Sequence, residues 1–105
     1  MSDTQMIYNN IKKSVESISP GAKIILYGSY ARGDYHDESD IDVLILVNQE
    51  NINYKEEQKI AYQLYDLELA TGRVITPLIM PEKKWYEFYP NTALYKNINM
   101  EGKLL

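Results

Sequence analysis

The chain has 105 residues, 15 of them acidic and 11 basic, for a formal net charge of −4, and it has no cysteine. Disulfides, zinc–thiolate sites and thiol nucleophiles are therefore excluded, as is a broad basic footprint for nucleic acid, although local basic pockets are not. With 45% hydrophobic and 25% charged residues, it reads as one soluble, cytoplasmic domain over residues 1–105, with no leader segment and no apolar run approaching the roughly 18 residues of a membrane span.

The elements follow in order. Ile7, Ile11, Val15 and Ile18 fall on one helical stripe, with Ser2, Asp3 or Thr4 available as N-cap and "SPG" at 19–21 as the stop. "KIILY" (23–27) is a short apolar strand, and the near-continuous apolar "IDVLILV" (41–47) reads as a strand buried on both faces. Residues 54–70 read as a helix, with Glu56 and Glu57 in the first turn, a stripe of Ile60, Leu64 and Leu67, and Gly72 just past its end. "RVITPLIM" (73–80) is a third strand that Pro77 confines to a bulge or an edge. Pro81 suits the first position of a short helix to about Phe88, with Trp85 and Phe88 three apart, and a last helical segment after "PNT" ends near Gly102. The order helix–strand–strand–helix–strand–helix is that of an α/β chain around a small mixed sheet. Ten tyrosines stand against one phenylalanine and one tryptophan. A ring to bury and a hydroxyl to keep wet suit the edges of a core; a partner-facing role, for instance for Tyr62 and Tyr65, is the alternative.

Between the first two strands runs a loop of about 13 residues, long for a compact domain and of the length that usually carries function. It begins with Gly28-Ser29 and ends with Asp40-Ile41-Asp42. Residues i and i+2 of a strand face the same way, so the two aspartates project together. Carboxylates held so close repel unless one is protonated or a cation lies between them. Magnesium is the natural cation, because it accepts one or two carboxylates and completes its shell with substrate phosphates. Gly28 lets a phosphate approach the backbone, Ser29 adds a neutral donor, and Arg32 can supply a cationic fork. Taken singly, each feature has a plainer meaning: a solvated strand edge for the acids, a turn for Gly-Ser, a surface charge for Arg32, an exposed loop residue for His36, and a local cap for Ser39. Two other motifs fail. Gly28 and Gly33 have P-loop spacing, but Asp34 stands where lysine is required. An EF-hand needs further oxygen ligands and a glycine where "VLIL" follows Asp42.

Taken together, Gly28-Ser29, ten intervening residues and Asp40-x-Asp42 resemble the signature of the polymerase-β-like nucleotidyltransferase superfamily. The string "GSYARGDYHDESDIDVLI" is similar to its minimal nucleotidyltransferase branch, and the "NINMEGKLL" ending to an N-x-x-x-E-G-like tail found in related short proteins. The resemblance implies the nucleotidyltransferase fold. It implies Gly28, Ser29, Arg32 and Ser39 as nucleotide-binding residues, and Asp40 and Asp42 as catalytic residues that hold two magnesium ions. The implied reaction places AMP from ATP on an acceptor and releases pyrophosphate. The family also uses a third carboxylate on the strand after the second helix; here that strand offers Thr76 and no acid, with Glu68 and Glu82 the nearest acids in sequence. Relatives that modify antibiotics or transfer RNA carry further domains, whereas minimal members resemble antitoxins that adenylylate a HEPN-domain toxin. The expectation is a magnesium-dependent protein adenylyltransferase of that kind. The alternatives are a catalytically weak or inactive nucleotide-binding module that neutralises its partner by binding alone, and a component of a small-molecule transferase.

Overall fold

The computed structural model describes residues 3–105. In chain order it comprises α1 (Asp3–Ile18), β1 (Lys23–Tyr27), α2 (Ser29–Arg32), β2 (Ile41–Val47), α3 (Tyr54–Thr71), β3 (Ile75–Pro81), α4 (Glu82–Phe88), α5 (Ala93–Glu101) and β4 (Lys103–Leu104). The four strands form one mixed sheet in the order β3-β2-β1-β4. β1 is antiparallel to β2 and to β4, and β2 is parallel to β3. This is the α/β architecture with a small mixed sheet that the sequence implies.

β2 is the centre of the molecule, and its period-two alternation divides the core. Ile41, Val43, Ile45 and Val47 join Ile7, Ile11 and Val15 of α1 and Ile60 and Leu64 of α3 on one face. Leu44 and Leu46 join Met80, Trp85 and Ile98 on the other, beneath α4 and α5. The unbroken apolar run in β2 is thus explained by burial on both faces. β3 lies at a sheet edge, where Pro77, lacking an N–H, does not break a central ladder. α3 is capped at both ends: the Asn53 side chain accepts the Glu56 N–H at 2.8 Å, and Gly72 takes a left-handed φ of 73°.

Several details differ from the sequence reading. α1 already includes Asp3 and Thr4, which therefore lie in its first turn rather than ahead of it; Ser2, the third candidate cap, lies outside the described residues. β3 starts at Ile75 rather than Arg73 and runs through Pro81, which ends the strand and caps α4 from outside. Phe88 is exposed, and Trp85 instead packs with Tyr89 and Tyr95 at centroid separations of 5.2 and 5.1 Å. Tyr8, Tyr27, Tyr89 and Tyr95 occupy core edges, whereas Tyr62 and Tyr65 are exposed. The two-residue β4 had no counterpart in the sequence reading, because its identity comes only from pairing with Ile25 and Leu26. Among the described residues, no helix is long and apolar enough to cross a membrane.

Ile45 is fully buried at the middle of β2. Ile45→Ala should cost about 2–5 kcal/mol, a large share of the roughly 5–15 kcal/mol of a typical domain. The measurement is the urea midpoint, which should fall while the slope is unchanged.

Candidate functional site

The site is built by strand register. Tyr27, the last residue of β1, pairs with Asp42, so the chain leaves the sheet beside that carboxylate. A Cβ placed on Gly28 would stand 2.5 Å from Asp42 Oδ2. Gly28 also has φ 73° and ψ −155°, a backbone conformation that side chains disfavour. Glycine is therefore required here both by conformation and by contact. Ser29 opens the short helix α2, whose far end is closed by Gly33 in a left-handed conformation.

On its other side Asp42 pairs with Thr76 of β3, and the Thr76 hydroxyl donates to Asp40 Oδ2 at 3.3 Å. Both acids thus lie at one corner of the sheet, on the β2 face that continues into Leu44 and Leu46. Asp42 is half-buried and Asp40 exposed. Burial, and next the negative charge of Asp40, hold the Asp42 carboxyl above the usual carboxylate range, while Arg32 draws it back. Tyr27, half-buried beside it, is raised by its own burial and then by Asp42. Among the described residues no third acid or histidine completes a metal-binding cluster. Two carboxylates with a hydroxyl alongside are hard oxygen donors that fit magnesium, which leaves the remaining positions to water and phosphate.

The two acids nearest in sequence to the missing third position are committed elsewhere. Glu68 accepts the Ile75 N–H at 2.7 Å and so anchors the start of β3. Glu82 pairs with Lys23 at 2.7 Å, near the opposite end of β2. Thr76, opposite Asp42 on β3, presents a hydroxyl to Asp40 and no carboxylate.

The loop is shaped from within. The His36 N–H donates to Ser39 Oγ, and the Ser39 N–H to the His36 carbonyl, both at 2.9 Å. The hydroxyl of Ser39 is thereby used in a turn, as local capping requires. His36 Nδ1 accepts the Glu38 N–H at 3.3 Å. Tyr35 stacks on Tyr30 at 4.1 Å with planes 5° apart, and Arg73 Nη1 donates to the Tyr30 hydroxyl at 2.7 Å. The fold therefore gathers Gly28, Ser29, Asp40 and Asp42 at one corner with Arg32 electrostatically linked to Asp42, while Ser39 and His36 are engaged in the loop's own turn.

One residue was absent from the sequence-derived set. Glu101, the last residue of α5, accepts the Gly28 N–H at 3.2 Å and receives Arg32 Nη1 on both oxygens, at 3.3 and 3.1 Å. The signal for it was the Glu-Gly pair in the tail, which carries no role until the chain end is seen against the loop.

Residues 8–104 match the nucleotidyltransferase domain family. Two proteins of Methanocaldococcus jannaschii, both provisionally named protein adenylyltransferases, are similar to this chain. MJ0141 is 44% identical over 75 residues, 70% of this chain and 75% of that protein. MJ0604 is 39% identical over 83 residues, 79% of this chain and 76% of that protein. Among solved structures, a toxin–antitoxin with AMP-PNP matches with a TM-score of 0.65 at 24% identity. A mutant of the toxin–antitoxin MntA-HpeT matches with a TM-score of 0.64 at 22% identity. Each match covers 91% of this chain and 69% of the other, and at these identities the likeness speaks for the fold.

The raised Asp42 carboxyl has a stability consequence whose sign is fixed. Folding disfavours its ionised form, so the cost is present above the raised folded pKa and vanishes below the ordinary unfolded value. Asp42→Asn should therefore melt slightly higher than wild type at pH 7 without metal, the gain kept small by solvent screening and by the opposing charge of Arg32. The gain should shrink as the pH is lowered toward 3, as followed by calorimetry across pH.

Proposed function

The chain belongs to the nucleotidyltransferase domain family and is an enzyme of that transferase class, and on that premise we propose that it is a magnesium-dependent protein adenylyltransferase whose acceptor is a HEPN-domain toxin, for which it serves as antitoxin in the cytoplasm. The observation that carries this reading is the Tyr27–Asp42 register, which sets Gly28 directly against Asp42. The names of the M. jannaschii relatives support the reaction class, and the toxin–antitoxin neighbours support the setting.

In the proposed reaction, an acceptor hydroxyl oxygen forms a bond to the α-phosphorus of ATP. The bond from that phosphorus to the bridging oxygen breaks, pyrophosphate leaves, and the hydroxyl proton passes to water. Gly28, without a side chain, lets the Asp42 carboxylate lie against the turn that is to receive the triphosphate. Ser29 offers a hydroxyl and Arg32 a positive charge to the phosphates, and Ser39 holds the loop that delivers the acids. Asp40 and Asp42 would hold magnesium, two ions by the family's pattern, which would supply charge neutralisation and a more acidic acceptor hydroxyl. Thr76 orients Asp40 through its hydroxyl. The remaining contribution is positioning, in which a poorly placed acceptor loses rate even with every group present.

A second reading, in which the protein neutralises its partner by binding alone, is favoured by one observation: β3 brings a hydroxyl, Thr76, and no third acid to the paired aspartates, and Glu68 and Glu82 are engaged elsewhere. One experiment separates the two. The protein is incubated with ATP, magnesium and a co-expressed HEPN partner, and the partner's intact mass is recorded. An AMP adduct is expected with wild type, and Asp40→Asn and Asp42→Asn should each lower its rate by at least about a hundredfold. If no adduct forms and both variants still neutralise the partner, the binding-only reading replaces the enzymatic one.

A further inference from the structure

We infer that Glu101 is a positioning residue for the nucleotide site: its carboxylate holds the turn at residues 28–32 in its working shape and sets the direction of Arg32. The inference rests on the nucleotide-binding role proposed for that turn.

The two groups it grips lie at the two ends of the turn. The Gly28 N–H donates to Oε1 at 3.2 Å. Arg32 Nη1 donates to Oε1 and Oε2 at 3.3 and 3.1 Å. Gly28 leaves β1 in a conformation outside both helix and strand, so the regular ladder of the sheet does not continue across it. A half-buried N–H left without a partner there would cost about 1–3 kcal/mol, and the carboxylate supplies an acceptor that is itself charged. Arg32 is held on a second edge, its Nε donating to Asp34 Oδ2 at 3.2 Å. With Nε and Nη1 taken, Nη2 is the donor that can turn toward an anion. The pairing thus converts a flexible surface arginine into one of defined direction.

Glu101 is fixed as firmly as the turn it holds. It ends α5, and the next N–H, that of Gly102, donates to the Ile98 carbonyl at 2.7 Å. A Cβ at Gly102 would run into that carbonyl oxygen and lie 2.8 Å from Ile25 Cγ2, so the helix end is pressed onto β1 at a distance that only glycine permits. Lys103 and Leu104 then pair with β1, and the Leu105 N–H donates to the Ile24 carbonyl at 2.9 Å. β1 is the strand that delivers Gly28. The tail therefore docks on that strand and reaches its exit, forming a closed brace. A carboxylate tied down on both sides is built to remain when phosphate arrives, not to be displaced by it. The donors left for the triphosphate are those beyond Gly28: the Ser29 hydroxyl and Nη2 of Arg32.

The test uses the full chain and the variants Glu101→Ala and Glu101→Gln, with two readouts. Amide hydrogen exchange of the nucleotide-free protein should show residues 28–32 exchanging at least tenfold faster in Glu101→Ala and less so in Glu101→Gln, which keeps an acceptor for Gly28. Amides of β2 should be unchanged in both, which separates a local brace from general destabilisation. Titration with ATP and magnesium should show roughly tenfold weaker binding for Glu101→Ala, and with acceptor present the KM for ATP should rise more than kcat falls. Unchanged exchange at 28–32, or nucleotide binding equal to or tighter than wild type in Glu101→Ala, overturns the inference, the latter marking the carboxylate as a competitor of phosphate. Should Glu101→Ala fail to fold, Glu101→Gln carries the same comparison. A wild-type protein that binds no ATP with magnesium would defeat the proposed function, and with it a role for Glu101 in nucleotide binding. The exchange data would still show separately whether Glu101 braces the turn.

Discussion

The site depends on one pairing, the antiparallel register of β1 and β2 that sets Tyr27 opposite Asp42. It brings the exit of one strand and the entrance of the next to the same corner, and everything assigned to the loop between them follows. A shift by one residue would turn Asp42 to the opposite face and carry Gly28 away from it. Such a shift is opposed by the core, because the same alternation that points Asp42 toward the loop sends Leu44 and Leu46 under Trp85 and Ile98, and Val43 and Ile45 under α1 and α3. Hydrophobic burial on two faces of β2 therefore fixes the geometry of a polar site on which it has no chemical bearing.

That site stands against the local preference of the fold. Asp42 is half-buried beside Asp40, and its carboxyl is raised by burial and by like charge. Left to stability alone, an uncharged residue would serve better. A cation between the two carboxylates, as in the proposed function, would relieve that conflict. Thr76 and Arg32 moderate the conflict from either side, the first by donating to Asp40 and the second by its charge.

Much of this was legible in the chain. The stripes of α1 and α3, the strand of β2 and its two-sided burial, and the bulge or edge that Pro77 implies all depend on near neighbours and on side-chain periodicity, which a sequence carries openly. The Gly28-Ser29 and Asp40-x-Asp42 pairs were visible for the same reason: the i, i+2 rule gives a common face before any partner strand is known. What went unseen depended on distant segments. Trp85 and Phe88 are three apart in a helix, but Phe88 is exposed; Trp85 stacks on Tyr89 at the end of its own helix and meets Tyr95 only because α5 reaches α4. The local cap that Ser39 offers was legible as well, and its Oγ accepts the His36 N–H three residues back.

The sequence by itself determined the class of fold, the identity of the paired acids and the glycine beside them, since helical stripes, strand alternation and turn chemistry arise within a few residues. Only the tertiary structure decided that Glu101 reaches Gly28 and Arg32, that Lys103 and Leu104 form a strand, and that Glu68 and Glu82 are spent elsewhere. These pairings join segments far apart in the chain. A carboxylate or a two-residue strand has no preference strong enough to declare its partner until the packed core brings that partner within hydrogen-bonding distance.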